Sequence, residues 1–275
     1  MKPGIRKILS AILLLVFLGS TAMFALSFFY KQKGEASYQV AESLASLTTE
    51  APTEAPTEMP TEAPAQTKQP EWVIAPVTDG DPYLQTLSYI NLSALRQVNP
   101  DVIGWIRIPG MKIHYPITQG EDNSYYLTHT WEGESNYCGA IFLETMNNAD
   151  FTDFNTIIYG HNMRNGSMFA GLHDYTSLTH WSQNPYVYLV TDEGVLRYEI
   201  FSSYNAEVDS KTYGLSFRQT ETRENFIQMA LEQSEIDTGR VPAITDRILT
   251  LSTCTGLGYK ERRVVHAYLP MELSQ

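Results

Sequence analysis

Residues 8–30 form an unbroken run without a charged side chain, flanked by Lys2, Arg6 and Lys7 before it and by Lys31 and Lys33 after it. A helix rising about 1.5 Å per residue crosses the hydrocarbon core of a bilayer with roughly 20 apolar residues, so this run predicts a membrane-spanning segment. Ser20-Thr21-Ala22 resembles the small-residue cleavage site of a signal peptide. The apolar stretch, however, continues well past it, beyond the length of an ordinary signal-peptide core, which favours an uncleaved anchor. The basic residues at both ends give a modest preference for a short cytoplasmic N-terminus, with everything that follows outside.

The pattern then changes. Residues 48–70 repeat Pro-Thr-Glu with almost no core-forming side chains. Such a segment cannot bury enough surface to fold and favours an extended polyproline conformation, so residues 34–78 read as a linker. It would hold a domain up to roughly 70 Å from a membrane. Asp79 opens the folded part, residues 79–275.

Within that part, helical spacing appears at 82–90 and 92–98 and stops before Pro100. Apolar and β-branched runs of strand length follow at 102–108, 112–117, 139–143, 156–159, 186–191, 195–204, 247–252 and 262–269. Eight short strands separated by turn signals predict a mainly β barrel or sandwich. Asp192-Glu193-Gly194 suits a hairpin loop between two of them. Helical segments are expected at 168–175 and 223–233. In the second, Phe226, Ile227, Ala230 and Leu231 share a face that should pack on the sheet.

Composition narrows the function. A formal net charge of -12 lacks the basic surface a nucleic-acid binder needs. Two cysteines, Cys138 and Cys254, exclude a disulfide framework and a cysteine-rich zinc site. Neither a compact cluster of metal-ligating side chains nor a glycine-rich phosphate loop is present, so no metal and no cofactor is expected. Cys138, at the start of an apolar run, is expected to be a buried, inert thiol.

Cys254 is different because it ends the run Ile248-Leu249-Thr250-Leu251-Ser252-Thr253, and Arg262-Arg263 opens the next strand. A thiol needs a base or a positive field to become a thiolate, and acyl transfer needs a donor for the oxyanion it creates. Strand alternation points Arg262 and Arg263 to opposite faces, so only one can address the thiol, and spacing alone does not say which. Of the six histidines (His114, His129, His161, His173, His180 and His266), His161 follows a strand end and Gly160, a position from which catalytic groups project. His266 lies inside a strand and is expected to be a hydrogen-bonded core imidazole.

Taken together, Tyr159-Gly160-His161-Asn162-Met163, Gly166-Ser167-Met168-Phe169, Thr250-Leu251-Ser252-Thr253-Cys254 and Arg262-Arg263-Val264-Val265-His266-Ala267 resemble a sortase, most closely class B, over residues 82–269. The resemblance implies an eight-stranded β-barrel with N-terminal helices and a helix before the last two strands. It implies Cys254 as nucleophile, His161 as general acid/base and, by motif, Arg262 as the substrate and oxyanion arginine. Asn123 and Ser252 match positions that help to place substrate. The activity implied is cleavage of a C-terminal sorting signal after Thr on a secreted protein, then transfer to an amine of a peptidoglycan precursor. The product is a surface protein fixed to the wall of a Gram-positive cell. Alternatives are a pilin-polymerising sortase, a hydrolytic cysteine protease and, as a non-enzyme, an anchored binding domain.

Overall fold

The computed structural model describes residues 3–46, 72–77, 80–256 and 260–274. The Pro-Thr-Glu repeat, Asp79 and residues 257–259 of the connection after Cys254 lie outside the described residues. Helix α1 (Pro3–Ala45) leads, followed by β1 (Trp72–Ile74), α2 (Pro82–Leu87) and α3 (Leu92–Val98). Then come β2 (Val102–Ile108), β3 (Ile113–Thr118), β4 (Ile141–Leu143), β5 (Asn155–Tyr159), α4 (Leu178–Gln183), β6 (Tyr186–Thr191) and β7 (Gly194–Glu207). Helix α5 (Thr220–Gln233), β8 (Arg247–Cys254), β9 (Glu261–Leu269) and β10 (Met271–Leu273) complete the chain.

Strands β2 to β9 are the eight expected from the pattern, and they close into a barrel in the order β2-β3-β4-β5-β8-β9-β7-β6. Two neighbours are parallel, β3 with β4 and β5 with β8. Parallel neighbours cannot be joined by a hairpin, so the chain between β5 and β8 must travel around the barrel, and it carries α4, β6, β7 and α5 on the way. The loop Asp192-Glu193 does join β6 to β7 as a two-residue hairpin, with Thr191 opposite Gly194. Inside the barrel, Ile106, Ile117, Ile158, Leu189, Leu249 and Val265 are fully buried. Helix α5 covers the outer wall through Phe226, Ile227 and Ala230 against Phe201, Tyr204, Ile248 and Val264, as its stripe predicts. Both cysteines are free thiols.

Two expectations change. The segment 168–175 is not a regular α-helix but a 3-10 turn over Ala170–Asp174. Residues 34–45, expected to belong to the linker, continue α1, which runs to Ala45. Gly34, Ser37, Ala41 and Ala45 are buried along one face of it, a helical spacing, and that face packs against Leu92 and Leu95 of α3, Trp105 of β2 and the segment around Trp131 and Cys138. Small residues make this stripe, so no periodic run of large apolar side chains announces it in the sequence. Residues 12–33 of the same helix are exposed, and the helix is long and apolar enough to cross a membrane.

Candidate active site

Strand β8 ends at Cys254, and its two neighbours bring the other groups to it. On one side β9 runs antiparallel with Cys254 directly opposite Arg262, Thr253 opposite Arg263 and Ser252 opposite Val264. Directly opposed residues project to the same face, so the Arg262 guanidinium shares a face with the thiol. Arg263 projects to the other face, where it is only 2% exposed, pairs with Glu235 at 2.8 Å and donates to the Tyr175 carbonyl at 3.1 Å. Register thus separates the two arginines where spacing could not.

On the other side β5 is parallel, with Tyr159 beside Ser252, and the Gly160 N–H donates to the Ser252 carbonyl at 3.1 Å. That bond carries the ladder one residue beyond the strand and delivers His161 next to the end of β8. Gly160 must lack a side chain, since a Cβ there would stand 2.5 Å from Ile141 Cδ1 and 2.7 Å from the Phe169 ring. Phe169 is held in place because its N–H donates to the His161 carbonyl at 2.9 Å, closing a tight loop that turns at Gly166 with φ of +77°. The two motifs 159–163 and 166–169 are therefore one structure.

The His161 ring has a defined orientation. Its Nε2 lies 2.7 Å from the Leu127 carbonyl, an acceptor only, so Nε2 carries a proton and Nδ1 is left for chemistry. Gly139, with φ of +60°, lies against the ring: a Cβ there would come within 2.9 Å of His161 Cδ2 and 2.6 Å of the Tyr126 carbonyl.

Cys254, His161, Arg262, Ser252 and Asn123 line one cleft of about 280 Å³ together with Leu127, Phe142, Tyr159 and Tyr213. All five residues singled out in the sequence meet there. Ser252 and Asn123 are tied into the wall of the cleft by side-chain hydrogen bonds. Ser252 Oγ is 2.9 Å from the Tyr213 hydroxyl, while Asn123 donates to Glu144 at 2.6 Å and accepts from the Thr145 N–H at 2.9 Å. Glu144 also accepts from the Tyr159 hydroxyl at 2.9 Å. Burial raises the pKa of both phenols, Tyr159 and Tyr213, and the nearby Arg262 charge partly opposes the rise in each. Both therefore remain neutral hydrogen-bonding walls of the cleft.

Several residues of the site had no role in the sequence reading. The Cys254 carbonyl accepts from Asn162 Nδ2 at 3.0 Å and from His173 Nε2 at 2.9 Å, which fixes the backbone of the residue bearing the thiol. Asn162 stood in the His161 motif without an assignment, and His173 gave no local signal. Tyr213 comes from the crossover between β7 and α5, which only the tertiary fold carries to Ser252. Cys138 is buried, and burial pushes its thiol up to about 11, as expected of an inert cysteine. His266 is fully buried, and burial lowers its pKa to about 3; it bonds Thr250 Oγ1 at 2.9 Å and the Tyr204 hydroxyl at 3.0 Å.

A closed mixed β-barrel with a thiol, an imidazole and a guanidinium gathered at one strand end defines a cysteine acyl-transfer enzyme of barrel type. A family model, the Sortase domain, matches residues 106–270. Sortase B of Listeria monocytogenes is 38% identical over 178 residues, covering 63% of this chain and 71% of that protein. Among solved structures, the Staphylococcus aureus sortase B–substrate complex superposes with a TM-score of 0.62 at 27% identity, covering 67% of this chain and 85% of that one. Clostridium perfringens sortase B does so with a TM-score of 0.61 at 32% identity, covering 65% and 98%. The chain belongs to the sortase family, in its class B branch.

Proposed function

We propose that this protein is a membrane-anchored cysteine transpeptidase that cleaves a C-terminal sorting signal and transfers the released acyl group to a cell-wall amine. The observation that carries the reading is the cleft itself, in which Cys254 faces Arg262 across the β8–β9 ladder and shares the lining with His161, which follows the end of neighbouring β5.

The Cys254 thiolate attacks the carbonyl of the Thr in the signal, forming a C–S bond and a tetrahedral oxyanion that Arg262 stabilises. Collapse breaks the C–N bond, and the His161 imidazolium gives its proton to the leaving amine. An amine of a peptidoglycan precursor then attacks the thioester, loses its proton to His161 and expels the thiolate. The product is a secreted protein joined to the wall by an amide bond. Tyr159, Phe142 and Tyr213 supply the apolar walls for the peptide, and Asn123 and Ser252 hold those walls in place. With residues 12–30 in the bilayer, the catalytic domain faces the wall outside, and the Pro-Thr-Glu linker belongs to that side.

The test uses the full chain in detergent micelles with fluorogenic peptides of the Asn-Pro-Gln-Thr-Asn, Leu-Pro-Glu-Thr-Gly and Ser-Pro-Lys-Thr-Gly types. Amine-dependent ligation product that vanishes in Cys254→Ala supports the reading. Cleavage that ignores added amine means a protease, and inertness toward every peptide and toward thiol reagents means a binding domain.

A further inference from the structure

We propose that the part of α1 emerging from the membrane, residues 34–45, is a positioning element for His161, acting through the segment 126–140. This rests on the reading of His161 as the proton carrier. The catalytic ring is gripped on two sides by that segment: the Leu127 carbonyl accepts from Nε2 at 2.7 Å, and Gly139 packs against Cδ2. The two grips belong to one folded unit, because the Ala140 N–H donates to the Tyr126 carbonyl and the Asn136 N–H to the Thr128 carbonyl, both at 2.8 Å.

Helix α1 holds the far side of the same unit. The Tyr38 hydroxyl donates to the Gly139 carbonyl at 2.6 Å, on the very residue that backs the imidazole. Trp131 Nε1 donates to the Ser37 carbonyl at 3.0 Å. Gly34 permits the close approach, since a Cβ there would stand 3.0 Å from Cys138 Sγ. Gly139 is thus fixed from both directions, with the membrane helix on one face and the reacting imidazole on the other. Displacement of a catalytic group by about 1 Å is enough to slow turnover by up to about a hundredfold, so this support bears on rate as well as stability.

The experiment compares the full chain in detergent micelles with Tyr38→Phe, Gly34→Leu, the control Ser43→Ala on the exposed face of α1, and His161→Ala. Two readouts are taken: kcat and KM for the peptide that the wild type cleaves best, and the pH dependence of Cys254 alkylation by iodoacetamide, located by peptide mass mapping. Expected for Tyr38→Phe and Gly34→Leu are a kcat about tenfold lower with KM unchanged, and an alkylation profile displaced toward that of His161→Ala. Ser43→Ala should match the wild type in both. Wild-type kcat and alkylation profile in both α1 variants would overturn the proposal, as would a lower kcat with an unchanged alkylation profile, which would make α1 a purely structural support. The alkylation arm needs no substrate and decides the matter even if the wild type cleaves none of the peptides, an outcome that would count only against the transpeptidase reading.

Discussion

Cys254 and Arg262 face one another directly across the β8–β9 ladder, while Thr253 and Arg263, one step along, point to the opposite face. Two adjacent arginines thereby have different surroundings. Arg262→Ala should lower kcat by about two to three orders of magnitude with little change in melting temperature, because an oxyanion donor acts in the transition state. Arg263→Ala should do the reverse. It removes a buried side chain bonded to the Tyr175 carbonyl and paired with Glu235, whose carboxylate is 41% exposed and partly screened, so a stability loss of about 1–3 kcal/mol is expected. Kinetics and thermal melts on the two variants check this, and equal loss of kcat per folded molecule in both would refute the assignment.

His266 should make the fold sensitive to acid. Burial lowers its pKa to about 3, whereas an unfolded chain binds that proton near pH 6.5. Below about pH 6.5 the unfolded state therefore carries a proton that the folded state refuses, and stability falls as the pH drops toward 3. Above pH 6.5 the contribution is constant. Urea midpoints from pH 7.5 to 4 for the wild type and His266→Gln should converge as the pH falls, and parallel curves would show that the buried imidazole is not the source.

Glycines 160 and 166 lie in one loop but have different reasons to be there. Gly160→Ala forces a Cβ into the Phe169 ring and Ile141, so both turnover and melting temperature should drop. At Gly166 no atom lies within 4 Å of the added Cβ, and only the φ of +77° is unfavourable. Gly166→Ala should cost about 1 kcal/mol of stability and leave kcat within about twofold. Circular dichroism melts and steady-state rates separate the two.

Asn123 lines the cleft and spends both ends of its amide on Glu144 and Thr145. Asn123→Ala should raise KM several-fold with kcat within about twofold, a loss of binding common to ground and transition states. A kcat decrease of a hundredfold would place it in the chemistry instead.

The sequence by itself determined the membrane-length apolar helix, the eight barrel strands and the three motifs that meet in the cleft. Those properties are local: hydrophobic period, turn residues and the glycine that lets His161 follow a strand without a gap. It also marked His266 as a core imidazole and α5 as an amphipathic cover. The tertiary structure decided what depends on partners distant in the chain. Which arginine faces the thiol follows from strand register, because a shift of one residue exchanges the faces of Arg262 and Arg263. That Tyr213, Asn162 and His173 belong to the site follows from a crossover path and from two bonds to one carbonyl, neither of which has a signature in spacing. The grip of α1 on the barrel was hidden for the same reason. Its contact stripe of Gly34, Ser37, Ala41 and Ala45 has too little apolar surface to stand out from a linker, and only the opposing shapes of residues 131–139 and of Leu92, Leu95 and Trp105 give those small side chains their meaning.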